Sequence, residues 1–184
     1  AGTDGSLGAL TVNATEASLK DVTTVGSQTY TADTTLDGSY QITLVPTGGV
    51  SADFLVDGST TLAGDTTVTG SGAITFGGEA TDGIDGGHAL TVLGSTSTSA
   101  VELVGDAGGT TPLASIALTG QTIALHDVTT TGSQTYTGAT TTQSQYTTAG
   151  GAVTFAGDLT LADALVVDTT DGGAAAAGAD ITFG

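Results

Sequence analysis

The sequence predicts an all-β chain, a parallel β-solenoid uncapped at both ends, and three observations carry that prediction. The first is an internal repeat. Asp21-Val22-Thr23-Thr24-Val25-Gly26-Ser27-Gln28-Thr29-Tyr30-Thr31 returns 106 residues later as Asp127-Val128-Thr129-Thr130-Thr131-Gly132-Ser133-Gln134-Thr135-Tyr136-Thr137, identical at ten of eleven positions. A chain that repeats itself stacks like units instead of gathering around one globular centre. The second is alternation: Leu10/Val12, Ile74/Phe76, Val101/Leu103 and Ile123/Leu125 place apolar residues at every second position, the period of a strand with one face inward. The third is composition. Thr outnumbers even the 30 Gly, the usual residues of long helices are scarce, and Thr and Val favour strands where Gly favours turns.

Taken in order, strands are expected near 9–14, 18–24, 28–32, 40–45, 52–56, 60–63, 66–69 and 73–76. The series continues near 89–93, 100–104, 114–118, 122–125, 128–131, 134–137, 152–155, 165–169 and 180–183. Turn signals separate them, among them Asp37-Gly38, Gly48-Gly49, Asp57-Gly58, Gly86-Gly87, Gly108-Gly109 and Asp171-Gly172-Gly173. The Ala174–Ala177 run is Gly-flanked and too short for a helix. Two β-sandwiches would also use many short strands, but sandwiches bury large aromatics, and this chain has 4% aromatics and no Trp.

The self-match, extended as 5–31 against 111–137, lies within a single expected unit spanning 1–184. A second box recurs as Ala73-Ile74-Thr75-Phe76-Gly77, Ala152-Val153-Thr154-Phe155-Ala156 and Asp180-Ile181-Thr182-Phe183-Gly184. The first two are followed by Ala-Leu-x-Val, at 89–92 and 164–167. For the third, the matching box is Ala9-Leu10-Thr11-Val12, at the other end of the sequence. The pattern therefore reads as continuing past both ends, and Leu10, Val12, Ile181 and Phe183 are the expected assembly ends.

A formal charge of −18 with Lys20 as the one cation argues against nucleic-acid binding, since phosphates need Lys and Arg, and disfavours anionic membranes. No apolar run approaches a membrane span, and no signal peptide or initiator Met is present, which reads as a processed product or a piece of something larger. Zero Cys excludes disulfides and thiolate metal sites.

The phrases at 73–78, Gly109-Thr110-Thr111-Pro112-Leu113-Ala114-Ser115 and 127–136 resemble the repeats of giant exported bacterial surface proteins, of the filamentous-haemagglutinin and autotransporter-adhesin kind. The resemblance implies a right-handed β-helix, secretion, and a place at the cell surface in fibres, adhesion or matrix. The expected partner is the chain itself, as a head-to-tail homopolymer or as tandem repeats of one long chain. An adhesin module gripping a glycan or matrix ligand is the alternative, and a polysaccharide-degrading enzyme a remote one.

Chemistry is sparse. Glu79, Asp82 and Asp85 lie in a Gly-rich stretch, 77–87, that loosely matches the Gly/Asp loops binding Ca²⁺ between repeats, so they form a candidate Ca²⁺ site beside the reading as a solvated turn. His88 and His126 have no Cys or second His nearby, and His126 takes the place of Lys20 in the repeat. Uronate chemistry uses Arg or Lys, Arg is absent, and no Gly-x-Ser-x-Gly elbow occurs, so no catalytic residue is assigned. Asn13-Ala14-Thr15 is a lone N-glycosylation sequon.

Overall fold

The structure is a computed structural model describing residues 7–43, 51–143 and 145–184. The Gly48-Gly49 turn signal, the end of the 40–45 strand and the first residues of the 5–31 self-match lie outside the described residues. All regular structure described is strand: β1 (Leu10–Thr24), β2 (Gln28–Ile42), β3 (Phe54–Val56), β4 (Thr60–Gly70), β5 (Ile74–Phe76), β6 (Ile84–Asp85), β7 (Ala89–Gly94) and β8 (Ala100–Leu103). There follow β9 (Ser115–Leu125), β10 (Val128–Thr130), β11 (Gln134–Thr142), β12 (Gln145–Thr148), β13 (Val153–Ala156), β14 (Leu159–Leu161), β15 (Val166–Asp168) and β16 (Ile181–Phe183).

The expected open β-solenoid, a right-handed β-helix uncapped at both ends, is corrected by the way these strands pair. Seven parallel strands close on themselves in the order β2–β3–β5–β8–β9–β7–β4 and back to β2. The fold is a closed parallel barrel with further strands attached, and β10–β12–β15 form a small separate sheet. The physical reason lies in two long strands. β2 gives its first residues to β3 and its later ones to β4, while β9 gives its first to β7 and its later ones to β8. Sequence had divided both at their glycines. Gly38 does have φ 85°, but it marks a register shift inside β2 and no strand end. Each long strand thus bends without breaking, and its two halves join ladders that an open coil would keep apart.

Three ladders run the height of the molecule. One passes Leu10, Gln28, Phe54, Ile74, Val101, Ile123, Thr140 and Leu159. Another passes Val22, Tyr40, Val68, Val92, Leu118, Tyr136, Phe155 and Phe183. The third passes Ala17, Thr34, Thr60, Ile84, Ala107, Val128, Tyr146 and Val167. Each begins on β1 and ends on β14, β16 or β15. Neighbours sit about 4.8 Å apart, so apolar side chains stack into one continuous core.

The aromatics are few but placed deep. Seven of the eight are buried, in two clusters: Phe54 contacts Tyr30, Tyr40 and Phe76 with centroids 5.4–6.0 Å apart. Tyr136, Tyr146 and Phe155 form the second, at 5.0–5.8 Å. Phe183 stacks on Phe155 yet is 56% exposed.

Candidate functional site

The repeated eleven residues build a buried corner twice. In the first copy Gln28 Nε2 donates to Val22 O (3.3 Å), Thr24 Oγ1 (3.1 Å) and Gln41 O (3.1 Å), while Tyr30 Oη donates to Gln28 Oε1 (2.9 Å). In the second, Gln134 Nε2 donates to Val128 O (3.2 Å), Thr130 Oγ1 (3.3 Å) and Thr147 O (2.9 Å), and Tyr136 Oη donates to Gln134 Oε1 (3.1 Å). The Thr hydroxyls in turn donate to Gly26 O and Gly132 O. Where the chain turns a corner its carbonyls lose their ladder partners, and a buried carbonyl without one is costly. The identical Thr, Gly, Gln and Tyr positions of the repeat thus make the same contacts in both copies. Its role is architectural.

The carboxylates have a role that sequence reasoning missed. Asp21 Oδ1 accepts from Ser39 N (2.8 Å), Asp33 Oδ1 from Ser59 N (3.0 Å) and Asp53 Oδ1 from Ala73 N (2.8 Å). Asp65 Oδ1 accepts from Ala89 N (3.0 Å) and Asp127 Oδ1 from Gln145 N (2.9 Å). In each pair the Asp stands one residue ahead of a paired strand residue, and the N–H belongs to the residue one ahead of that residue's partner in the following strand. The signal available in the sequence was an Asp directly before a residue that enters a strand ladder. Each such carboxylate staples its own layer to the layer that follows.

Two of the candidate Ca²⁺ residues also accept from backbone N–H groups, Asp82 within its own turn and Asp85 from the following layer. Asp82 Oδ2 accepts from Gly78 N (3.0 Å) and Glu79 N (2.9 Å), and Asp85 Oδ1 accepts from Thr110 N and Thr111 N (both 2.8 Å). Among the described residues no three His, Cys, Asp or Glu side chains gather into a metal-ligand group, so Glu79, Asp82 and Asp85 are not brought together. Asp85, Asp106 and Asp127 border two adjoining depressions of about 570 and 250 Å³ that share Asp106 and Gly109. Their walls are Asp, Thr, Ala, Gly, Ser and Gln, with no aromatic ring. His88 Nδ1 lies 3.8 Å from Asp65 Oδ1, and His126 borders a separate small depression with Glu102. Asn13 lies on exposed backbone of β1, opposite Thr31.

The expected assembly ends fall on strand edges. Among the described residues β1 pairs along its length with β2 alone, and on its other side only Leu7 and Gly8 bond, to Thr23, Val25 and Gly26. At the far end, again among the described residues, β14 pairs only with β11, β15 only with β12 and β16 only with β13. Leu161 (53%), Val166 (53%), Ile181 (43%) and Phe183 (56%) stand exposed there, whereas Leu10 and Val12 are half-buried. In comparisons with known proteins, no family model, curated protein or solved structure matches the chain.

Proposed function

We propose that the chain is a structural subunit of an extracellular or cell-surface protein fibre, cohering by strand pairing between its two free edges. The observation that carries the reading is the pairing asymmetry at those edges. β1 on one side and β14, β15 and β16 on the other each leave a row of backbone groups unpaired among the described residues. At the second edge these rows coincide with four exposed apolar side chains. Unpaired ladder groups beside exposed apolar surface are a template for adding a strand. The two edges differ, so the contact is heterologous and propagates instead of closing into a dimer.

A formal charge of −18 keeps such a chain dispersed until its edges meet, and the absence of Cys suits a protein whose cohesion comes from ladders. The resemblance of its repeats to exported surface proteins supports the extracellular placement. The role is mechanical, and the residues bearing it are backbone groups of edge strands. Sedimentation velocity across a concentration series, with negative-stain imaging of the same samples, tests it. Elongating particles of constant width are expected. A compact monomer at every concentration overturns the proposal.

A further inference from the structure

We infer that β1 of a second copy docks on β14, β15 and β16 in one register, placing Leu10 on Leu159, Ala17 on Val167 and Val22 on Phe183. This rests on the fibre reading above and specifies its joint. The three ladders supply the register. Each begins on β1 and ends on one of the three terminal strands, so a single strand meets all three edges at the spacing the chain already uses internally. Leu7 bridges Thr24, two positions beyond Val22, and among the described residues nothing pairs with the outer edge of Val22 itself.

The internal repeat shows what such a segment rests on. Residues 116–130 are the counterpart of 10–24, and Ile116 and Leu118 are seated on Leu90 and Val92 of β7. Leu159-Thr160-Leu161 of β14 offers Leu10 and Val12 the same apolar-Thr-apolar edge that Leu90-Thr91-Val92 offers Ile116 and Leu118.

The aspartate staples supply a separate argument. Each of the five stapling carboxylates reaches forward to the next layer. Asp158 stands one residue ahead of the ladder residue Leu159, the stapling position, yet its carboxylate has no hydrogen bond among the described residues. In the inferred register the N–H it would receive is that of Ala9, one residue ahead of Leu10, and no backbone bond within the described chain uses that group. The joint thus repeats between copies the contact Asp53 makes with Ala73 within one.

The chain has no Cys, so engineered thiols report the register without background. Thr11→Cys and Thr160→Cys variants place thiols on adjacent parallel strands at about 4.8 Å, inside the span a disulfide bridges. Both sites are exposed, and circular dichroism establishes that each variant retains the fold. Mixed under mild oxidation, the two variants should give a 11–160 disulfide by mass spectrometry that neither gives alone. Thr11→Cys mixed with Thr182→Cys should give none. Asp158→Ala should raise the concentration needed for assembly about tenfold, the effect of losing one charge-assisted hydrogen bond. If copies associate but link 11 to 182, the register is wrong while the fibre reading stands; an 11–11 link means that like edges pair and close a dimer, which overturns both. No association at any concentration overturns both.

Discussion

A glutamine buried in a protein core is costly unless its amide is satisfied, and Gln134 satisfies its own on three sides while anchoring Tyr136. Gln134→Leu keeps the volume and strands Val128 O, Thr147 O and Tyr136 Oη, so urea denaturation should show a loss of about 1–3 kcal/mol with little change in slope. Its counterpart Gln28→Leu should behave alike. The four tyrosines give a pH signature. Burial pushes the Tyr40 phenol up to about 12, and pushes Tyr30, Tyr136 and Tyr146 well up too. A folded-state value above the unfolded value of about 10 stabilises the native protein fully below that pH, and the contribution is lost as pH rises toward the folded values. Phenolate absorbance should therefore stay flat through about pH 10 and rise only with cooperative unfolding; gradual titration of native protein would contradict the burial. At this scale the repeat was legible, but its cause was not. Nothing local in Gln28 announces that Gln41 O will lie beside it.

Strand elements were legible in number and period, and their ends were not. Leu36 and Tyr40 both face inward, yet Asp37-Gly38 between them, expected as a turn, is a bend inside β2, because a bulge absorbs the glycine without reversing the chain. The Gly120-Gln121 pair lies inside β9 in the same way. β6, β12 and β14, two to four residues long, carry too little alternation to be seen. Gly138 tests the bends. Its φ is 144°, and a Cβ there would collide with the carbonyl oxygen of Gly120 in the paired strand β9. Gly138→Ala should cost about 1–3 kcal/mol, and Gly87→Ala, where a Cβ meets open space, close to nothing. Equal thermal midpoints for the two would show that the bend is not strained.

For the whole molecule, −18 charges with one cation imply self-repulsion that salt screens. The thermal midpoint should rise as NaCl goes from about 0.01 to about 0.5 M, over which the screening length shrinks several-fold. A falling midpoint would mean that the carboxylate staples, weakened by the same salt, matter more than the repulsion. Composition announced the repulsion and hid the staples, since an Asp before a strand looks like any solvated turn. It also hid the closure of the barrel, which depends on which half of β2 meets which neighbour. The candidate Ca²⁺ residues were legible as acids, but not the backbone N–H groups they serve, which for Asp82 and Asp85 lie on different segments.

Lys20 sits on β1, its ammonium 2.6 Å from Asp37 of β2, and the hydrogen bond and charge of that carboxylate raise its pKa. Because it is the only lysine, the chain carries a single side-chain amine, and that amine stands on β1, whose outer edge is unpaired beyond Leu7 and Gly8 among the described residues. A fluorophore coupled there reports from one known address, and trypsin, with no Arg to cut, has one peptide bond to find. Labelling rate and cleavage at this residue therefore read out, in any preparation, whether the β1 edge is bare or covered.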